Sequence, residues 1–338
     1  MNTGKIWLLL DSSKGGGIES HVLQLSQGLL THGEHVEVIF LTDYGAHPLR
    51  DALLSLGIAT RSLDGQFKTL FQLLKNERPM VLHTHGYKAG IIGRFAAWLN
   101  KTPTVSTYHA GEIATGKLAI YDWIDRKTAR FSHKVFAVSP QIANRLPGQV
   151  DLFNNFVNSD NLKESTGEQI AFVGRVSREK GPDYFMALAS YYPEIDFHLY
   201  GDGPEMDEIK SESPSNLKLH GQQDDMSDTW SKIGLLVIPS RFEGLPMAAL
   251  EAMARGIPVL AFNVGALDRL IKPECNGWLV EPGNIHQLAK QISLWSGFSA
   301  QHKSLLKLAC KKTIKAQFCS RRAIPRLIEN YKQVARIC

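Results

Sequence analysis

A chain of 338 residues, 43% of them hydrophobic and 21% charged, is too long for one ordinary core and suits two soluble domains of about 150 residues each. That composition excludes a disordered or fibrous chain, and no apolar run approaches the roughly 20 residues that a membrane span needs. The net charge of +5 is unevenly spread: from Ala300 onward ten Lys or Arg stand against the single acid Glu329, so the preceding residues are net negative.

The first apolar run, IWLLL (6–10), reads as a strand; it is too short for a signal peptide and has an acid after it, so a cytosolic chain is expected. A glycine-rich turn, SSKGGG (12–17), leads into a segment where Val22, Leu25, Leu29 and Leu30 recur at helical spacing before Gly33 closes it. HVEVIFLT (35–42) is the next strand, which completes a βαβ unit. Strands are predicted at 80–85, 103–109 and 134–139, with a helix at 88–99. Residues 150–169 read as a polar linker, after which the pattern restarts with short apolar runs at 170–175, 196–203, 217–221, 234–240, 258–263 and 277–280. This alternation predicts an α/β chain of two doubly wound, Rossmann-like domains facing a central cleft, with ligands bound outside the carboxyl ends of the strands.

The glycine turns follow predicted strands. Gly15 to Gly17 open the first helix and aim backbone N–H groups at any anion there, although a tight turn needs glycine for its own sake. The GxGxxG fingerprint is absent and no acid is well placed at the end of the second strand to bind a dinucleotide ribose, which disfavours a nicotinamide enzyme. In GRVSREKG (174–181), Arg175 and Lys180 have the chemistry to neutralise a diphosphate, or to be an ordinary exposed loop. YGDGP (200–204) by itself shows only a bend. PSRFEGLPMAALEAMARGIPV (239–259) reads as a strand end, a turn and a helix from Pro246 to Arg255 that Gly256 terminates. Its acids Glu243 and Glu251 have ordinary explanations, a helix N-terminus and an i,i+4 pair with Arg255. A carboxylate also accepts two hydroxyl hydrogen bonds at once, which is what a ribose diol or a sugar ring offers.

The four cysteines, Cys275, Cys310, Cys319 and Cys338, form no CxxC pair and are read as reduced thiols. His83 and His85 stand two apart at a strand end and are read as ordinary packing, so no metal site is expected.

Taken in order, GGGIESHVLQLSQGL (15–29), TYH (107–109), NNFVN (154–158), VGRVSREKG (173–181), GDGP (201–204), the 239–259 stretch and NGWLVEPGN (276–284) resemble the retaining GT-B glycosyltransferases of family 4, the glycosyl transferases group 1 family. The resemblance covers nearly the whole chain, and the E-x7-E pair is its most specific element. It implies domains at 1–158 and 159–322, with a helix at 323–338 returning to the first. It further implies that Glu251 holds the ribose hydroxyls of a nucleotide-sugar and Glu243 those of the transferred sugar, with Gly244, Leu245 and Met247 along the sugar and phosphate. Arg175 and Lys180 would stabilise the diphosphate, Gly16 and Gly17 would approach the same phosphates, and His109 would sit near the reacting carbon. No metal or other cofactor is implied, and no DxD motif is present, Asp122 and Asp125 being spaced one too far. The chain departs from the family where GGxPE is frequent, having VGALDR (264–269), and at Asn158, where aspartate is frequent.

The expected partners are a nucleotide-sugar, UDP- or GDP-linked, and a glycan or lipid-linked acceptor of bacterial surface polysaccharide or lipopolysaccharide synthesis, with no nucleic acid. Two basic clusters, Lys303–Lys307–Lys311–Lys315 and Arg126–Lys127–Arg130–Lys134, suggest peripheral attachment to an anionic membrane at the inner face of the cell membrane. A nucleotide-sugar epimerase on the same fold is the competing enzyme reading, and a non-catalytic relative is a third.

Overall fold

The computed structural model describes residues 4–109, 116–160, 162–223 and 225–337. It divides into two units: the first comprises the chain up to Asn158 together with the segment from Ser320 onward, and the second runs from Ser159 to Cys319.

The first unit is a seven-stranded parallel sheet. Its strands are β1 (Ile6–Leu10), β2 (Val36–Phe40), β3 (Ala59–Ser62), β4 (Val81–His85), β5 (Thr104–Tyr108), β6 (Lys134–Ala137) and β7 (Asp151–Leu152), in the order β3-β2-β1-β4-β5-β6-β7. The connecting helices are α1 (Gly17–Thr31), α2 (Pro48–Ser55), α3 (Phe67–Glu77), α4 (Tyr87–Asn100), α5 (Lys117–Thr128) and α6 (Pro140–Ala143). Every residue of β1 is buried because helices cover both faces of the sheet. Side chains alternate along a strand, so Ile6, Leu8 and Leu10 join one apolar cluster with Val22, Leu25 and Leu29 of α1. Trp7 and Leu9 point the other way, into a cluster with Leu70, Leu74 and Ala96.

The second unit repeats the plan. Its strands β8 (Gln169–Val173), β9 (Phe197–Tyr200), β10 (Leu217–Leu219), β11 (Ile233–Ile238), β12 (Val259–Phe262) and β13 (Gly277–Val280) form a parallel sheet in the order β10-β9-β8-β11-β12-β13. Around it lie α7 (Pro182–Tyr191), α8 (Met206–Glu212), α9 (Ser227–Trp230), α10 (Met247–Ala254), α11 (Leu267–Leu270), α12 (Ile285–Ser296) and α13 (Ala300–Thr313). In each sheet the strand order reverses beside the first strand, at β1/β4 and at β8/β11, and such reversals are where open α/β sheets bind ligands.

The last helix, α14 (Ser320–Ile337), belongs to the first unit. Ile324, Leu327, Ile328, Tyr331 and Val334 are buried in the core shared with β1 and α1, at the spacing of one helical face. Five such side chains contribute on the order of 10 kcal/mol of apolar burial before chain entropy is counted. The helix starts at Ser320, not at 323, because the Ser320 amide already bonds the Val157 carbonyl at 3.0 Å.

Two sequence expectations are corrected. The stretch read as a linker is structured at its start: β7 pairs with β6, and Phe153, Phe156 and Val157 are core residues of the first unit. Its many polar residues conceal that apolar triplet. Between 42 and 80, β3, α2 and α3 carried no prediction; β3 is an edge strand, half exposed, and so lacks the apolar run that marks a buried one.

Candidate active site

In the second unit, four turns at the carboxyl ends of β8, β9, β11 and β12 are packed backbone against backbone. A Cβ at Gly201 would lie 1.8 Å from the Gly174 carbonyl oxygen, one at Gly203 2.3 Å from that of Val176, and one at Gly181 2.1 Å from that of Pro239. Gly265 is held as tightly, 2.4 Å from the Glu243 carbonyl oxygen, and the Ala266 amide donates to the Gly244 carbonyl at 2.8 Å. Glycines that are uninformative one at a time thus turn out to be mutual requirements. The divergent VGALDR turn keeps the one glycine that this packing demands.

Within this frame Lys180 Nζ lies 2.8 Å from both carboxylate oxygens of Glu243, and Ser240 Oγ donates to Oε1 at 2.7 Å. The Glu243 side chain is 5% exposed and that of Lys180 30%. The structure therefore makes one unit of two groups that the sequence reading treated separately. Lys180 neutralises and orients Glu243, leaving the carboxylate fixed and its remaining acceptor capacity available to hydroxyl groups. Arg175, two residues past the end of β8, is exposed and makes no ion pair among the described residues. The nearby Arg241 is not available in that way, since Asp183 binds it at 2.6 Å and it stacks on Tyr184.

Helix α10 begins at Met247, with Pro246 as its N-cap in an extended conformation. Leu245 and Met247 are 2% and 5% exposed, so their side chains serve the core. Glu251 is half-buried one turn into the helix, and its carbonyl accepts from Arg255 Nη1 at 2.9 Å.

In the first unit Gly15 to Gly17 are exposed at the start of α1, with Gly16 extended at the N-cap. A Cβ at Gly16 would lie 2.9 Å from a Glu19 carboxylate oxygen, while Gly17 faces open space. His109 follows β5 and belongs to a group that the sequence reading missed. His21 from α1, His85 from the end of β4 and His109 each bring a nitrogen within 4.8 Å of the others, and His85 Nδ1 lies 3.2 Å from His109 Nε2. Parallel pairing explains the meeting: His85 is opposite Thr107, and His109 follows two residues on, on the same face. His83 is different. It bonds the Tyr331 hydroxyl at 2.6 Å and Thr107 Oγ1 at 2.7 Å, so packing is the right reading for it. For His85 that reading was incomplete. The available signal was His21, a polar residue on the inward face of a helix whose neighbours Val22 and Leu25 are core.

Burial lowers the pKa of all of these imidazoles. His21 and His85 lie well below the usual value, and His109 is brought down to about 4, hydrogen bonding to Asn155 offsetting part of the effect for His21 and His109. At neutral pH they are uncharged, so each ring can accept one hydrogen bond and donate another.

Two parallel sheets of Rossmann-like order, each with glycine turns at the carboxyl ends of its switch-point strands, define a two-domain doubly wound α/β protein, and such turns have the chemistry to receive phosphate groups. Residues 15–152 match the family described as Glycosyltransferase Family 4, and residues 155–303 match Glycosyl transferases group 1. An Escherichia coli UDP-Gal:alpha-D-GlcNAc-diphosphoundecaprenol alpha-1,3-galactosyltransferase is 30% identical over 287 residues, 72% of this chain and 74% of that one. The alpha-maltose-1-phosphate synthase of Mycolicibacterium smegmatis is 24% identical over 70% of this chain and 72% of its own. Among solved structures, Anabaena HepE in complex with UDP-glucose superposes with a TM-score of 0.84 at 19% identity, covering 97% of this chain and 99% of that one, a likeness of fold. The chain belongs to the glycosyl transferases group 1 family and is a glycosyltransferase of the GT-B fold.

Proposed function

We propose that the protein is a retaining, metal-independent glycosyltransferase that moves a sugar from a UDP- or GDP-sugar to a lipid-linked glycan acceptor in bacterial surface polysaccharide or lipopolysaccharide synthesis. The observation that carries this reading is the donor platform of the second unit: the exposed Arg175 and the Lys180–Glu243–Ser240 cluster lie in the frame of interlocked turns, and Glu251 lies one turn into the helix α10 that follows. The E. coli relative acts on a UDP-sugar and a diphosphoundecaprenol-linked sugar, which supports both substrate classes.

In this reading Glu251 accepts the ribose hydroxyls and Glu243 those of the sugar. The main chain from Gly244 to Met247 runs along the sugar and phosphate. As the sugar–phosphate bond breaks, negative charge grows on the departing diphosphate, and Arg175 with Lys180 stabilises it where it develops. Gly16, Gly17 and the neutral His109 are the first unit's contribution. No side chain is assigned as a nucleophile. The acceptor hydroxyl attacks on the face from which the diphosphate leaves, and a phosphate oxygen takes its proton, so the anomeric configuration is kept.

The test is direct. Purified protein with a panel of UDP-, GDP- and ADP-sugars should show a raised melting temperature for one nucleotide class, because a ligand of the folded state alone stabilises it. Nucleoside diphosphate release should depend on acceptor and persist in EDTA, and NMR of the product should show the donor's anomeric configuration. A panel with no shift and no release would reject the reading.

Membrane attachment is part of the proposal, and the two basic clusters differ in what supports it. Lys303, Lys307 and Lys311 do lie along α13, but they bind Glu168, the Ser165 carbonyl and Glu164, tying down the segment before β8. Lys127 and Arg130 are exposed beside the exposed Trp123, so the α5 cluster is the better candidate. Among the described residues no helix is long and apolar enough to cross a membrane. Sedimentation with neutral and anionic vesicles distinguishes the cases: equal binding to both would remove the electrostatic component.

A further inference from the structure

Three neighbouring elements of the first unit, α3, α4 and the 3₁₀ turn Ala129–Phe131 that follows α5, share a row of aromatic rings that no substrate role accounts for. Ring centroids run from Phe71 to Phe67 at 5.8 Å, from Phe67 to Phe95 at 5.5 Å, from Phe95 to Trp98 at 5.9 Å and from Trp98 to Phe131 at 5.2 Å. Phe67 and Phe71 stand one turn apart on α3, as do Phe95 and Trp98 on α4, so helical spacing lines the rings up. Phe67, Phe71 and Phe131 are half-buried, whereas Phe95, Trp98 and Leu99 are 42%, 51% and 47% exposed. Helix α4 thus reverses the usual order of sizes. Ala89, Gly90, Gly93, Ala96 and Ala97 are buried, and its largest apolar side chains are left in water. The small residues are required by close packing, since a Cβ at Gly93 would lie 2.6 Å from Leu9 Cδ2, but packing gives no reason for the rings outside.

The rim of this row is basic. Lys68 and Lys75 lie beside the rings of α3, Lys101 is one turn beyond Trp98, and Lys127 and Arg130 precede Phe131; all five are exposed and make no ion pair among the described residues. The Arg130 guanidinium sits 5.2 Å over the Phe131 ring. No acid answers them on the two helices: α4 has none, and the single acid of α3, Glu77, is bound by Arg61 at 2.5 Å. A second copy of this chain would bring like charges face to face across a two-fold axis, which disfavours self-association through this face. An anionic bilayer offers both complements in the right order, headgroup phosphates for the rim and acyl chains for the rings.

We propose that the α3–α4 face inserts into an anionic lipid bilayer, with Phe95, Trp98 and Leu99 entering the acyl region and Lys68, Lys101 and Arg130 holding headgroup phosphates. This rests on the membrane attachment inferred above and alters its nature: apolar insertion through α4, with the α5 cations at its rim, takes the place of adsorption by charge alone. No bond is made or broken at this surface.

The experiment sediments the full chain with vesicles of phosphatidylcholine, with and without phosphatidylglycerol. Phe95→Ser/Trp98→Ser should lower the partition coefficient on the anionic vesicles by about tenfold or more, as expected when two aromatic side chains no longer reach hydrocarbon. Lys68→Gln/Lys101→Gln/Arg130→Gln should lower it about as far there and leave the weaker binding to phosphatidylcholine unchanged. All five positions are at the surface or nearly so, and both variants should melt within about 2 °C of the parent. Lipids brominated in the acyl chain should quench the parent's tryptophan fluorescence, Trp98→Phe should lose most of that quenching, and Trp123→Phe should keep it. An aromatic variant that binds like the parent, or quenching that follows Trp123 instead of Trp98, overturns the proposal and leaves adsorption through α5. A dimer that Trp98→Ser abolishes, in a parent that ignores vesicles, overturns it in favour of a second copy. A parent that neither binds vesicles nor dimerises removes membrane attachment altogether, while the thermal shift with the donor judges the glycosyltransferase reading separately.

Discussion

Lys180 and Glu243 illustrate how a pair behaves differently from two single residues. Each can be assigned to a ligand alone, Lys180 to phosphate and Glu243 to sugar hydroxyls, yet in the structure they bind each other through both carboxylate oxygens. Lys180→Met would leave a buried carboxylate without its counter-charge. The expected loss is about 2 kcal/mol, between the values for surface and fully buried pairs. Lys180→Met/Glu243→Gln should recover much of that stability in denaturant titrations and none of the activity. Additive losses of stability would show that the two side chains do not act together. Arg175, which makes no ion pair among the described residues, behaves as a simpler case. Arg175→Ala should lower kcat by about 10²- to 10³-fold, the usual effect of removing one group that stabilises developing negative charge. Glu251→Ala should act mainly through the donor's KM. Steady-state kinetics with the donor varied separates the two, and equal effects on kcat and KM in both variants would contradict the assigned roles.

At the scale of elements, the close-packed turns make specific demands. Gly181 has φ +69° and faces the Pro239 carbonyl, so Gly181→Ala meets both left-handed strain and a backbone clash. It should cost about 1–3 kcal/mol and weaken donor binding as well, because the β8 and β11 turns move together. Gly28, by contrast, meets side-chain atoms and no main-chain carbonyl: Ile324 Cγ1 and Cδ1 at 2.6 and 2.7 Å and Asn158 Oδ1 at 3.7 Å, where α1 packs on α14. Gly28→Ala should be milder, and Gly28→Ala/Ile324→Val milder still. Thermal melts of the three variants provide the check. If Gly181→Ala melts like the parent, the interlocking of the turns is not what holds the donor platform. The strands and helices themselves were largely readable from sequence because most buried strands are apolar or β-branched runs and the long helices repeat at 3.6 residues. The edge strand β3 and the packed residues Phe153, Phe156 and Val157 escaped, since edge exposure and polar neighbours dilute those signals.

For the whole molecule, the buried His21, His83 and His85 and the half-buried His109 couple folding to pH. The pKa values of His21, His83, His85 and His109 are all depressed by burial, that of His109 to about 4. Once pH falls below about 6.5 the unfolded chain takes up protons that the folded chain refuses. Stability should therefore be fully present above about pH 7 and decline as pH drops toward 4, by up to about 2 kcal/mol per histidine at pH 5. Asp125 works in the opposite direction. Desolvation raises it to about 6 despite Arg94, so between about 4 and 6 the folded chain holds a proton that the unfolded chain has lost, offsetting part of the decline. Melting temperatures from pH 8 to 5 should fall, and His83→Gln should flatten the slope. A pH-independent melting temperature would mean that the imidazoles are solvated.

The sequence by itself determined the two α/β repeats, the family they resemble and the acids and cations at the strand ends, because strand burial, helix periodicity and turn chemistry are local properties that a short window records. The tertiary structure decided which of these groups meet. Lys180 and Glu243 lie 63 residues apart, the glycine turns meet carbonyl partners in other turns, and the His21–His85–His109 group is gathered from a helix and the ends of two strands. The aromatic row from Phe71 to Phe131 likewise exists only once α3, α4 and the turn after α5 are packed. Contacts between distant segments arise from the order in which strands enter a sheet, and no local signal along the chain encodes that order.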